Sequence, residues 1–154
     1  MKYYLKDSFL SNEYEKNAGS KARNDVEAIL ISEGYEGLEL KVENWYKMNF
    51  FKAQQHKYRA TKSVFDQLGA GDELVIQFPI IHHTFFISQL IKQAQNRGVK
   101  FYLVIHDVET LRHVGNSAVK LRHKVRNYFQ EKAALTSVDG IIVHNDIMKK
   151  VLVG

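Results

Sequence analysis

Cysteine is absent from the 154 residues, which excludes disulfides, thiol catalysis and Cys-ligated zinc together and fits a reducing compartment. Proline is nearly absent too: Pro79 is the only one, so the strongest strand-stop signal falls at a single place. No apolar run approaches the ~20 residues needed to cross a bilayer, and Lys2-Tyr3-Tyr4 lacks the apolar stretch of a signal peptide. A cytoplasmic protein is expected, resting at most against the inner face of the cell membrane. Neither the GxGxxG nor the GxxxxGK[ST] pattern occurs, which argues against a dinucleotide enzyme or an NTPase. Repeats, low-complexity stretches and internal linkers are lacking as well. What remains is one domain's length of chain with room for a proper core, a net charge of +5 and a pI near 9.3. That balance suits an anionic partner such as a phosphate group, nucleic acid or acidic lipid head groups.

The chain is organised around Lys100 to Arg112, KFYLVIHDVETLR. Phe101 to Ile105 is an unbroken apolar run without period-2 alternation, the pattern of a strand covered on both faces of a parallel sheet. It runs directly into His106 and Asp107. Ligands of open α/β sheets bind outside the carboxyl ends of the strands, so polar residues at such a junction are the first candidates for chemistry.

Taken in order, Tyr3-Tyr4-Leu5 reads as a first strand, followed by a polar stretch to Ala18. Ala22, Val26, Ile29 and Leu30 then form one helical stripe, with Ser20 as the expected N-cap and Gly34 in the C-terminal glycine position. Gly19-Ser20-Lys21 also offers backbone N–H groups, a hydroxyl and an ammonium to an anion, so capping and anion binding both stand as readings. Gly37 to Val42 alternates like a second strand. A long helix is predicted over Met48 to Leu68, with Phe51, Tyr58 and Phe65 spaced by seven on a core face shared with Thr61, Val64 and Leu68. Glu73 to Phe78 is a third strand that stops at Pro79, and His82-His83 lie just beyond it. Adjacent histidines diverge in most backbone conformations and lack supporting ligands, so no metal site is expected; one starts a helix and the other faces solvent or a cleft. The next helix, Thr84 to Asn96, places Ile87, Leu90, Ile91 and Ala94 on one face and ends at Gly98.

Beyond the central strand a helix is predicted from about Ala118 to Leu135, carrying Lys120, Arg122, His123, Lys124 and Arg126. These cations spread around its outer face instead of forming a row, which disfavours nucleic-acid reading and leaves a solvated surface or a broad attraction to anionic membrane. Gly140 to Val143 forms a fifth strand ending at His144-Asn145, before a short last helix. Five alternations of strand and helix predict a doubly wound, Rossmann-like, mostly parallel sheet of five to six strands, in three α/β/α layers and one domain. Polar or special residues follow most strand tips, with histidine at three of them.

The blocks Gly19-Ser20-Lys21-Ala22 with Asn24-Asp25, Gln77-Phe78-Pro79, His106-Asp107 with Leu111-Arg112, and Asp139 to Asn145 with Met148-Lys149-Lys150 carry a resemblance. In order and spacing, over nearly the whole chain, they resemble the N-terminal domain of bacterial β-1,6-galactofuranosyltransferases, or Gtf3-like sugar transferases. The resemblance implies a two-lobed GT-B enzyme that transfers a sugar from a nucleotide-sugar donor without a metal or other cofactor. It implies that this lobe recognises a glycan acceptor and that a second lobe, expected beyond Gly154, holds most of the donor. Alone, the chain is then half a site and inactive.

On that resemblance Asp107 or His106 is the general base for an acceptor hydroxyl, the alternative being a turn cap and a packed ring. Gly19, Ser20 and Lys21 would approach the donor diphosphate. Arg112 would orient Asp107 or an anion, or else make a surface ion pair. Asn24 stiffens its helix or joins Pro79, His82, His144 and Asn145 along the same substrate-binding rim. Apolar faces built to meet the second lobe invite self-association. The rival reading is a stand-alone binding or assembly module without catalysis, for an anionic ligand or a protein partner.

Overall fold

The computed structural model describes residues 1–7, 18–42, 44–78, 84, 86–106 and 132–143. Five strands make one sheet: β1 (Lys2–Asp7), β2 (Glu36–Leu40), β3 (Glu73–Phe78), β4 (Lys100–Ile105) and β5 (Gly140–Val143). Three helices connect them: α1 (Ala18–Ser32), α2 (Phe50–Phe65) and α3 (Ile87–Asn96). A single 3-10 turn, Trp45–Lys47, precedes α2, and the stretch 132–137 is helical ahead of β5.

Every strand pairing is parallel, in the order β2-β1-β3-β4-β5. Right-handed crossovers account for the order and for the layers. The β1-to-β2 connection turns one way and lays α1 on one face. The later connections turn the other way and lay α2 and α3 on the opposite face. Burial shows both layers: Val64 and Phe65 at the end of α2, Leu68 just beyond it, and Ile87, Leu90 and Ile91 of α3, close over Leu74, Ile76, Phe101, Leu103 and Ile105. On the other face Val26 and Leu30 of α1 cover Tyr4, Val75 and Val104. The doubly wound α/β expectation is met, with five strands and all of them parallel.

Local chemistry explains the element ends. Asn49 caps α2, its side chain accepting from the Lys52 N–H at 2.8 Å. Helices α1 and α3 both end in the two-bond glycine motif. Gly34 N–H donates to Ile31 O and Tyr35 N–H to Leu30 O, while Gly98 N–H donates to Gln95 O and Val99 N–H to Ala94 O. Gly34 and Gly98 both have positive φ, as this motif requires.

Several expectations are corrected. Helix α1 begins at Ala18, so Ser20 lies inside the first turn and is not the N-cap. Ile29 is 61% exposed, not core: among the described residues of α1 the seam Ala22, Val26 and Leu30 turns inward and Ile29 does not. Phe51 is 83% exposed, because the inward face of α2 runs through Ala53, Lys57, Thr61 and Val64. The second strand ends at Leu40 instead of Val42, and α2 runs from Phe50 to Phe65 instead of Met48 to Leu68. Most of the basic helix predicted from Ala118, and the last helix, lie outside the described residues. Among the described residues no helix is long and apolar enough to cross a membrane.

Candidate functional site

The strand order places a topological switch point between β1 and β3: the chain leaves β1 toward one face, through α1, and leaves β3 toward the other, through α3. Crevices for ligands form at such points, outside the carboxyl ends of the strands. Here the ladder itself opens. The β1–β3 pairing runs from Lys2↔Glu73 to Tyr4↔Val75 and stops, although β1 continues to Asp7 and β3 to Phe78. Beyond Tyr4, β1 stays paired with β2 as far as Asp7↔Leu40, and β3 stays paired with β4 as far as Phe78↔Ile105. The sheet is therefore unzipped along its carboxyl half at the switch point.

Two side chains bridge from β3 and β4 toward α1 there. Gln77 pairs with Val104 in register and projects to the α1 face. It is 7% exposed, an amide in a strand whose neighbours are Val75, Ile76 and Phe78. Its Nε2 donates to the Arg23 carbonyl of α1 at 3.3 Å, and its Oε1 lies 2.6 Å from Nε2 of His106. His106 follows β4 directly, and its backbone N–H donates to the Phe78 carbonyl at 2.9 Å, extending the ladder by one rung. The network joins three elements at the opened rim.

The N-terminus of α1 completes the described part of the rim. Its first turn holds Gly19, Ser20 and Lys21 and carries no acidic residue, so the positive end of the helix dipole is not neutralised from within. Lys21 and Asn24 are exposed. Tyr4 anchors this helix from below: its hydroxyl donates to Glu27 Oε1 at 2.8 Å, and Lys6 Nζ is 3.9 Å from the same oxygen. Burial, then the Glu27 bond and charge, push the Tyr4 hydroxyl up to about 12.

Of the residues singled out in the sequence, Gly19, Ser20, Lys21 and Asn24 fall on the first turns of α1, and His106 at the tip of β4, all toward the carboxyl rim. Pro79, His82, Asp107, Arg112, His144 and Asn145 lie outside the described residues. Among the described residues no three His, Asp or Glu side chains cluster as metal ligands. Gln77 was not among the chosen site residues. Its signal was available: a single amide inside a strand that is otherwise apolar from Leu74 to Phe78.

A second feature was not foreseen. Phe50, Phe51, Tyr58 and Phe86 line an open groove of about 620 Å³ between the starts of α2 and α3, floored by the buried Thr84 and edged by glutamines. Tyr58 and Phe86 meet edge to face at 6.2 Å. Because α2 follows β2 and α3 follows β3, this groove also lies toward the carboxyl side of the sheet. The sequence clue was the aromatic pair Phe50-Phe51 at the start of a helix whose inward stripe begins only at Ala53.

The fold defines a Rossmann-like α/β domain whose parallel sheet opens at the switch point, on its carboxyl side. The family model for the glucosyltransferase 3-like N-terminal domain matches residues 3–154, and the chain belongs to that family. No curated protein matches the sequence. The domain is thus related to glucosyltransferases, as the resemblance in its motifs implied.

Proposed function

We propose that this domain is the acceptor-side lobe of a GT-B sugar transferase, in which the opened β1–β3 rim holds an acceptor hydroxyl against His106 and Asp107. A nucleotide-sugar is the donor, held mainly by a second lobe that follows Gly154. The observation that carries the reading is the coincidence of three things: membership of the glucosyltransferase 3-like family, a parallel sheet unzipped at its switch point, and a histidine held by hydrogen bonds at that opening.

The chemistry follows from the parts. Transfer needs a base for the incoming hydroxyl and positive charge for the departing diphosphate. His106 or Asp107 supplies the first. The first turn of α1, with its N–H groups, dipole and exposed Lys21, supplies the second. Asn24, Pro79, His82, Arg112, His144 and Asn145 are proposed as the substrate-binding remainder of the rim. No metal or other cofactor is assigned a role. Galactofuranose and glucose are the donor sugars first to be tried, and a glycan, glycoprotein or lipid-linked glycan the acceptor. The protein is placed in the cytoplasm, at most peripheral to the inner membrane face.

The test uses the natural gene product, assayed for transfer from nucleotide-sugars. Asp107→Asn should lower kcat at least about 100-fold with little change in acceptor affinity if Asp107 is the base. Equal loss of binding and turnover removes it from that role, and His106→Gln asks the same of the ring. Turnover by residues 1–154 alone would contradict the half-site reading. The exposed aromatic groove favours a second reading, a binding or assembly module without catalysis. A gene product that continues past Gly154 into another βα-alternating domain supports the transferase; one that ends there supports the module.

A further inference from the structure

We propose that Gln77 is a positioning residue that fixes His106 as its Nε2–H tautomer, so that Nδ1 is the ring atom that takes a proton. The tautomer follows from hydrogen-bond polarity alone; only the catalytic use of Nδ1 rests on the transferase reading above.

The argument starts at the main chain. The Arg23 carbonyl of α1 can only accept, so the Gln77 group 3.3 Å from it must be the amide nitrogen. That orientation leaves no choice at the other end: the amide oxygen faces the imidazole. An amide oxygen also only accepts, and it lies 2.6 Å from His106 Nε2, so this nitrogen must carry a hydrogen and donate it. A neutral imidazole with its proton on Nε2 has its lone pair on Nδ1. The ring is thus held at Nε2 through Gln77, and its backbone is held by the bond from His106 N–H to Phe78 O.

Burial makes the arrangement firm. Gln77 is 7% exposed between an apolar sheet and α1, so rotating its amide would set Nε2 of Gln77 against the ring and Oε1 against the Arg23 carbonyl, two acceptors face to face. The same chain of bonds makes α1 part of the positioning. Arg23 lies in its second turn, past the anion-attracting terminus, and the ring is referenced to that helix across residues 29 and 54 apart in sequence from Gln77. An amide suits the task where a carboxylate does not serve both ends: it accepts from the ring and donates to the carbonyl at once.

The experiment is two-bond proton–nitrogen correlation of the imidazole rings in the chain labelled with 15N-histidine, at a pH where the ring is neutral. His106→Gln identifies the His106 signals among the seven histidines. The expected wild-type pattern is a protonated Nε2 and an unprotonated Nδ1. Gln77→Leu should abolish that preference, giving tautomer-averaged signals or Nδ1–H. Gln77→Glu should keep it, since a carboxylate oxygen still accepts from Nε2–H. An Nδ1–H ring in the wild type overturns the proposal whatever the variants do, and an unchanged Nε2–H ring in folded Gln77→Leu overturns it as well.

In the natural gene product Gln77→Leu should reduce kcat about tenfold with acceptor KM within about twofold, and Gln77→Glu, which keeps the acceptor for the ring but loses the tie to the Arg23 carbonyl, should recover part of the loss. Parallel loss in kcat and acceptor binding, without recovery by Gln77→Glu, would make Gln77 a structural residue only. A wild-type protein that transfers no sugar sinks the transferase reading, while the ring spectrum still decides the tautomer.

Discussion

The seating of α1 on the sheet can be tested through Tyr4, because one hydroxyl carries both a hydrogen bond and a titration. Tyr4 lies in β1 under α1, its ring buried, and its hydroxyl donates to Glu27 at 2.8 Å. Burial and Glu27 push its pKa up to about 12 from an ordinary 10. A raised folded-state value means the protonated phenol is favoured in the folded protein. The stability this brings is whole below pH 10 and is lost as pH rises from 10 through 12. Two pH units correspond to at most about 2.7 kcal/mol. Glu27 remains about one-quarter exposed, so solvent screening brings the expected effect to the order of 1–2 kcal/mol. The perturbation is Tyr4→Phe, which removes the phenol and keeps the ring. At pH 8 it should cost about 1–2 kcal/mol in urea unfolding, the range for a hydrogen bond to a charged acceptor near the surface. The gap between wild type and Tyr4→Phe should then close between pH 10 and pH 12. Taking the difference cancels the seven other tyrosines and the lysines. A gap that is the same at pH 8 and at pH 11.5 would refute the assignment, and Glu27→Gln should lessen the pH dependence while keeping an acceptor in place.

Gly98→Ala should lower stability by about 1–2 kcal/mol, a fall in Tm of roughly 3–6 °C, because an alanine at φ +93 is strained and its Cβ would lie 3.1 Å from Ala70. An unchanged Tm would show that the loop adjusts freely. Asp139 Oδ2 accepts from the Phe101 N–H at 2.8 Å and from Gln95 Nε2 at 3.1 Å, tying the approach to β5 against β4 and α3. Asp139→Ala should cost about 2 kcal/mol and Asp139→Asn less than half of that, since Asn keeps the acceptor oxygen; equal costs would contradict this. Phe51→Ser should leave stability within about 0.5 kcal/mol and reduce any self-association seen by sedimentation velocity, and an unaltered oligomer distribution would move the contact away from this groove.

Much of the fold was legible because its signals are local. The unbroken run Phe101–Ile105 announced a strand covered on both faces, and β4 shows Leu103 and Ile105 at zero exposure on one face and a buried Val104 on the other. Glycines at 34 and 98 announced two helix ends, and both close the expected motif. The stripe Ile87, Leu90, Ile91 and Ala94 was read correctly as the buried face of α3. Errors arose where periodicity allowed more inward positions than there was surface to cover. Ile29 and Phe51 sit on apolar stripes, yet α1 and α2 each turn only a narrow seam to the sheet, so both side chains face out. Of the candidate site, His106 was legible as the polar residue ending an apolar run. Gln77 stands out in the sequence as the one amide in an apolar strand, but its partners, His106 and the Arg23 carbonyl, meet it only in the fold.

The sequence by itself determined the kinds of elements, their order and most of their ends, since hydrophobic period, capping chemistry and backbone permissiveness act within a few residues. Its motif blocks also carried the family to which the chain belongs. Only the tertiary structure decided the strand order, the point at which β1 and β3 part company, and the meeting of Gln77, His106 and the Arg23 carbonyl. Those depend on crossover handedness and on which buried polar groups can satisfy one another across the sheet, and neither is written in any local stretch of the chain.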